Sequence, residues 1–140
     1  MNPQTMWNVL EHLALWQRRN ANRSKRCLEA VRAALATENL RLPVSNVDYP
    51  GMMAIDNGAR LAQTPAKWGW KLLGTSAKSI PKDEISLVYF KGCGFIVRAG
   101  RFAGHIALFK PSTNMTVSNE NHPLSLWWKL RVAYVFTPLT

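Results

Sequence analysis

The sequence is poor in acidic residues and cysteine, and these shortages limit the classes of protein that it can encode. Eight Asp and Glu residues stand against 18 Lys and Arg residues, which gives a formal net charge of +10. This balance favours an anionic partner, whether nucleic acid, an anionic lipid surface or an acidic cell-wall polymer. Two cysteines, Cys27 and Cys93, are too few for the disulfide framework of a small secreted scaffold, and neither belongs to a CxxC pair that would hold zinc.

Long apolar runs are also missing. None approaches the roughly 20 residues that span a bilayer. The N-terminal stretch MNPQTMWNVLEHLALW carries an acidic residue and polar breaks where a signal peptide has an unbroken apolar core. We therefore expect synthesis in the cytoplasm without a signal peptide.

The residues that are present suffice for one folded domain. A length of 140 residues corresponds to about one domain, and an apolar content of 47% argues against disorder despite the charge. We find no internal repeat and no low-complexity segment. The prediction is a single domain over residues 1–140.

Helical periodicity occupies the first half of the chain. Apolar residues recur at spacings of three and four over residues 5–19, which predicts an amphipathic helix. Ser24 is the predicted N-cap of a second helix that carries Cys27 in its first turn. A short third helix is predicted over about residues 52–62, before Pro65 and Gly69.

Short β-like runs replace the helical pattern from Trp70 onward. They cover residues 70–73, 85–90, 95–97, 105–109, 115–118 and 126–136, and the last is predicted to be one long strand. Helices followed by consecutive strands predict an α+β domain. Its helical part, about residues 5–65, should pack on one side of an antiparallel sheet formed by about residues 70–137.

Cys27 is the candidate nucleophile. It follows Lys25 and Arg26 and lies at the positive end of the second helix, a setting that lowers the pKa of a thiol. A free cysteine also packs as a small hydrophobe, so a purely structural role on the helix face is the alternative.

His105 is the candidate base, because it stands at the head of an apolar strand directly after Gly104. The alternative is a histidine held at a strand edge for structural reasons. His12 and His122 are predicted to be solvated or structural. The polar residues 118–121 follow the next predicted strand and are able to orient an imidazole.

Four blocks in this order resemble the papain-like peptidoglycan amidases and endopeptidases of the NlpC/P60 and CHAP type. Residues 27–35, CLEAVRAAL, are similar to the helix that the family's cysteine opens. Residues 80–90 resemble its Gly-Asp-Ile strand start, with Lys82 where Gly is usual. Residues 104–108, GHIAL, match its histidine block, and residues 117–121 align with its acid and asparagine positions.

The resemblance implies a papain-like fold and a Cys-His-Asn hydrolase that needs no cofactor or metal. Cys27 would attack a stem-peptide amide of peptidoglycan, His105 would transfer the proton, and Asn119 would orient the imidazole. Glu120 is the rival orienter, although on a regular strand it points to the face opposite Asn119. Asn121 takes the place of the family's asparagine and is a candidate substrate-binding residue.

Trp68 and Trp70, beside Lys67 and Lys71, are further candidates for lining a substrate groove. We expect at least one of the two to belong to the core instead, and the same of Trp127 or Trp128.

Delivery to the wall would require a holin-type release, as for a phage endolysin, or secretion, as for a type VI-like amidase effector that needs an immunity protein in its producer. We favour the endolysin because many single-domain lysins resemble this chain in their positive charge.

Three other functions remain open at this level. A non-enzymatic basic module would bind nucleic acid through interleaved cations and aromatics, although no helix-turn-helix, zinc-finger or RNP-like pattern is present and we expect no stable complex of that kind. An inactive papain-like binding domain is the second. A zinc site from Cys27, Cys93, His105 and His122 is the third, but these ligands lack the close pairing of structural zinc sites.

Overall fold

The computed structural model describes residues 3–20, 26–43, 53–94, 97–98 and 101–139. Three helices come first: α1 (Pro3–Arg19), α2 (Cys27–Ala36) and α3 (Ala54–Gln63). Strands and one short helix follow: β1 (Trp70–Gly74), β2 (Ser86–Phe90), β3 (Val97–Arg98), β4 (Arg101–Phe102), β5 (His105–Lys110), β6 (Met115–Val117), β7 (Asn121–Pro123), α4 (Leu126–Lys129) and β8 (Val132–Pro138). Short 3-10 turns cover Pro65–Trp68, Ala77–Ser79 and Pro111–Thr113.

Six strands form one antiparallel sheet in the order β1-β8-β2-β5-β6-β7, and β3 pairs with β4 in a separate hairpin. The chain therefore has an α+β architecture with the predicted order of helices before strands. No helix among the described residues has the length and apolarity needed to cross a bilayer.

The two faces of the sheet are covered by different parts of the chain. Side chains alternate along a strand, so Ile106 and Leu108 of β5 face one side and Ala107 and Phe109 face the other. The first side packs against α1, α2 and α3, which confirms the predicted helices on one face. The second side packs against smaller pieces, among them the Ala77–Ser79 turn and Trp128 of α4.

The buried residues of α1 have the predicted spacing. Met6, Val9, Leu10 and Leu13 are all in the core, whereas Ala14 lies on the exposed face of the helix. The apolar spacing of three and four residues thus identifies the buried stripe, and Trp16 in the last turn packs partly buried against the same cluster.

Two boundaries differ from the sequence prediction. Helix α2 begins at Cys27, with Arg26 in the N-cap position at φ −122° and without a side-chain cap hydrogen bond. Ser24 lies outside the described residues, as do residues 95–96 of the predicted strand 95–97. The strand predicted over residues 126–136 is wrong in its first part, because α4 occupies its first four residues, and it is confirmed from Val132 onward, where β8 begins.

The turn at α4 has a local cause. Ser125 is extended, and the Lys129 N–H bonds its carbonyl at 2.9 Å, which closes a helical turn. The Arg131 N–H then bonds the Trp128 carbonyl at 2.9 Å before β8 starts. The segment Leu-Trp-Trp-Lys-Leu does not alternate strictly between apolar and polar residues, so the strand period was absent there.

Candidate functional site

Cys27 is held at the junction of α2 and β5. It is the first residue of α2, and it packs against the core cluster that contains Ile106. The backbone N–H groups of Ile106, Leu28 and Cys27 itself point toward the sulfur. The thiol therefore lies against the backbone of the strand that begins with His105.

Burial dominates the electrostatics of this thiol. It raises the pKa of Cys27 above the ordinary value, and the nearby Glu120 carboxylate raises it further, while the three backbone N–H groups oppose the shift. Arg26 directs its guanidinium to Glu29 at 2.6 Å. The expectation of a lowered pKa is wrong, because desolvation exceeds the effect of the backbone N–H groups, and the thiol is protonated at neutral pH. Lys25, one of the two flanking cations, lies outside the described residues.

His105 opens β5 directly after Gly104, which has φ +80°. Its ring lies in an aromatic cluster, with centroids 5.3 Å from Trp128, 6.0 Å from Phe90 and 6.3 Å from His122. Its Nε2 is buried and has no hydrogen-bond partner among the residues that the structure describes. Burial, with a smaller contribution from His122, lowers the pKa of His105 to about 4, so the imidazole is neutral at pH 7.

The structure places Cys27 of α2 against Ile106 of β5, the residue after His105, but the Cys27 and His105 side chains belong to opposite sides of the sheet. Cys27 packs with the helix-side cluster, whereas the ring of His105 contacts Phe90 and Trp128 of the other cluster. Within the described residues, no hydrogen bond joins the two side chains.

The third predicted residue lies in the turn from β6 to β7. This turn is closed by the Ser118 N–H bonding the Glu120 carbonyl at 3.0 Å. Asn119 is half-buried there, and in the described part of the chain it makes no hydrogen bond to His105. The Glu120 carboxylate instead lies 3.1 Å from Nε2 of His122.

Asn121 is exposed and is tied to α1. Its Oδ1 accepts a hydrogen bond from Nε2 of Gln17 at 2.8 Å, and the same Gln17 nitrogen donates to the Ser118 carbonyl at 2.7 Å. The end of α1 therefore holds the β6–β7 turn beside the candidate site.

The tryptophans assigned to a substrate groove lie elsewhere. Trp70 is fully buried and donates through Nε1 to the Arg41 carbonyl at 2.7 Å, so its assignment as a substrate-binding residue is wrong. It opens β1, which is three strands from β5, or about 14 Å at the usual strand spacing. Trp68 is half-buried, with Arg41 5.6 Å and Lys67 5.4 Å from its ring centroid.

We expected Trp127 or Trp128 to belong to the core, and the two side chains differ in burial. Trp128 is half-buried and packs edge-on against Phe90, with the centroids 5.0 Å apart. Trp127 remains 47% exposed. Neither is fully buried.

The comparisons with known proteins identify no relative. No protein-family model matches this chain, and neither a curated protein nor a solved structure matches it.

The ligands once considered for zinc are not arranged for it. In the described ranges, no group of three or more His, Cys, Asp or Glu side chains is placed to hold a metal ion. Cys93 is buried, its carbonyl accepts from the Gly104 N–H at 2.8 Å, and burial raises its pKa to about 11. Cys93 therefore behaves as a protonated packing residue.

Sequence reasoning missed His122 and Trp128 as neighbours of His105. Their ring centroids lie 5.4 Å apart, and both rings pack against the His105 imidazole. The available signal was weak, since it required the turn at α4 to be recognised. The site contains the protonated thiol of Cys27 at the start of α2 and the neutral imidazole of His105 on the adjoining strand. The pair formed by the Glu120 carboxylate and His122 lies beside them.

Proposed function

We propose that this chain is a papain-like peptidoglycan hydrolase that cleaves an amide of the stem peptide with Cys27 as nucleophile. One observation supports this proposal most: the Cys27 thiol, at the start of α2, lies against the backbone N–H of Ile106, the residue that follows His105. The antiparallel sheet behind the cysteine helix is compatible with the papain-like resemblance.

The buried nitrogen of His105 also supports a functional role. A buried polar atom without a partner destabilises a fold by about 1–3 kcal/mol, and native proteins contain few of them. Within the described ranges of the chain, Nε2 of His105 is such an atom. A role in catalysis, in which this nitrogen takes and returns a proton, would account for a histidine at this costly position.

The reaction begins from an uncharged pair. The proton of the Cys27 thiol passes to the neutral His105 as sulfur bonds to the amide carbon, and the carbonyl oxygen takes up negative charge. The first N–H groups of α2 lack intrahelical partners and are suited to stabilise that oxyanion. His105 then protonates the leaving amine as the C–N bond breaks, and water hydrolyses the thioester.

This mechanism requires the imidazole to engage the thiol. In the structure, the ring rests on Trp128 and Phe90 instead. The proposal therefore includes a turn of His105 toward Cys27 when substrate binds. Asn119 remains the proposed orienter of the engaged ring, with Glu120 as the rival, since Glu120 is within the electrostatic reach of Cys27.

A net charge of +10 fits an enzyme that works on an anionic envelope. We propose a phage endolysin released through a holin. The secreted effector is the alternative, and it is distinguished by a cognate immunity protein in the producing cell.

The deciding experiment is mass spectrometry of purified sacculi incubated with the wild type, with Cys27→Ala and with Cys93→Ala. The last variant is a matched control, since it removes the other free thiol. Fragments should appear with the wild type and Cys93→Ala and be absent with Cys27→Ala, and their masses identify the bond. A folded wild type that releases no fragment from several wall chemistries, or a fully active Cys27→Ala, overturns the proposal.

A further inference from the structure

The short helix α4 carries an exposed apolar patch. Leu126 is 71% exposed, Leu130 is 70% exposed and Trp127 is 47% exposed. The Leu130 N–H bonds the Leu126 carbonyl at 3.1 Å, so the two leucines are one turn apart and share a side of the helix. We call Leu126, Trp127 and Leu130 the α4 patch.

The α4 patch contributes little to the core. The packing role of this turn belongs to Trp128, whose ring meets Phe90 and His105 beneath it. Single exposed hydrophobic residues are common on protein surfaces, but three within five consecutive residues form a contiguous patch of the kind found at interaction sites.

Cations border the α4 patch. The guanidinium of Arg131 lies 3.7 Å from the ring centroid of Trp127, and Lys129 is exposed on the same turn. Lys91 is exposed as well, and its N–H bonds the Arg131 carbonyl at 2.8 Å, which places it beside the turn. Residues 121–140 contain no Asp or Glu, and the Glu120 carboxylate just before them is paired with Nε2 of His122 at 3.1 Å, so the Lys and Arg side chains of this stretch are its only charged groups of fixed sign.

We infer that the α4 patch docks this protein onto an anionic lipid bilayer surface. Leu126 and Leu130 would enter the boundary of the acyl chains, and Trp127 would lie at the level of the headgroups, where amphipathic aromatic rings are favoured. Lys91, Lys129 and Arg131 would meet the lipid phosphates. This inference does not depend on the proposed hydrolase activity.

Charge complementarity selects this occupant. A second copy of the chain would bring the same three cations against the patch, and the total charge of +10 opposes self-association. An anionic bilayer supplies both an apolar interior for the leucines and negative charge for the border, which is the combination that interfacial helices use. Docking would hold the Trp128 and His105 cluster next to the membrane surface.

The test is co-sedimentation with vesicles of phosphatidylcholine alone and of phosphatidylcholine with phosphatidylglycerol. We expect at least tenfold stronger partitioning onto the anionic vesicles, weakening with salt. Leu126→Asp/Leu130→Asp should lower that partitioning at least tenfold, and Lys91→Gln/Lys129→Gln should remove most of the preference for phosphatidylglycerol. Leu139→Asp is the matched control, because Leu139 is 47% exposed outside the patch and its change should leave binding within twofold.

A second readout does not depend on the double variant folding. Lipids brominated in their acyl chains should quench wild-type tryptophan fluorescence, and Trp127→Phe should remove most of the quenching. The inference is overturned if Leu126→Asp/Leu130→Asp binds like the wild type while folded, or if quenching survives in Trp127→Phe. It is also overturned if millimolar inorganic phosphate abolishes binding, or if sedimentation shows a dimer that the aspartates disperse.

Discussion

Acidification should destabilise this protein through His105. The pKa of its imidazole is lowered from 6.5 to about 4 in the folded state, chiefly by burial. In the unfolded chain the ring takes up a proton below about pH 6.5, whereas the folded protein does so only near pH 4. The unfolded state therefore binds more protons in this window, and the free energy of unfolding falls as the pH falls.

The magnitude follows from the two pKa values. Each pKa unit corresponds to about 1.4 kcal/mol. Lowering the pKa from 6.5 to about 4 thus removes about 2 kcal/mol of stability by pH 5 and about 3 kcal/mol by pH 4, relative to neutral pH. The contribution is complete above pH 6.5 and absent below pH 4.

Urea unfolding between pH 4 and pH 7 measures this effect, and His105→Phe is the matched variant. A phenyl ring fits the same aromatic neighbours and removes the buried unpartnered Nε2, so the variant should be as stable as the wild type or more stable at pH 7. Between pH 7 and pH 5, the wild type should lose about 2 kcal/mol more of its free energy of unfolding than the variant loses. Equal pH profiles for the two proteins would refute the reasoning.

Three further predictions concern single residues. Cys27 should react slowly with iodoacetamide at pH 7 and faster as the pH rises, because burial raises its pKa; rapid labelling at pH 7 in Cys93→Ala would contradict this. Trp70→Phe should lower the free energy of unfolding by about 2 kcal/mol in a urea titration, because it removes a hydrogen bond and leaves a void in the core. The exposed Trp127 is the control, and Trp127→Phe should change the same free energy by less than about 0.5 kcal/mol. Gly104→Ala should destabilise the protein by about 2 kcal/mol more than Gly92→Ala. Both glycines have positive φ, but of the two only a Cβ at position 104 would meet a backbone oxygen, that of Phe90 at 2.7 Å. Equal thermal midpoints for the two variants would contradict this clash.

The sequence predicted the elements whose periodicity is strong. The three long helices were recognisable because their buried faces follow a period of 3.6, and the strands β1, β2, β5 and β6 because β-like runs lie there between turn residues. The short strands β4 and β7 have the sequences Arg-Phe and Asn-His-Pro, which contain no apolar or β-branched run that would indicate a strand. The prediction for the α4 segment was wrong because an apolar run without alternation fits either a helix or a strand.

At the candidate site, the sequence predicted which residues lie close together better than it predicted the directions of their side chains. It associated the start of α2 with the start of β5, and the structure places Cys27 against Ile106 there. It could not supply the side of the sheet on which His105 lies, since this depends on which residues of β5 face the helices. It also counted the charges flanking Cys27 but not the burial that outweighs them.

The alternation of β5 determines how the proposed dyad would form. Ile106 and Leu108 are fully buried on the helix side, so a register slip that turned His105 toward Cys27 would move both of them to the other face. Each large apolar side chain contributes about 1.5–3 kcal/mol by burial, which makes such a slip unfavourable. His105 is the first residue of the strand and follows Gly104 at φ +80°, so a backbone change at these two residues would reorient the ring while Ile106 and Leu108 stay packed. Under the proposed hydrolase mechanism, engagement of the thiol is therefore a local turn at the strand start, opposed by the contacts that the ring gives up with Trp128 and Phe90.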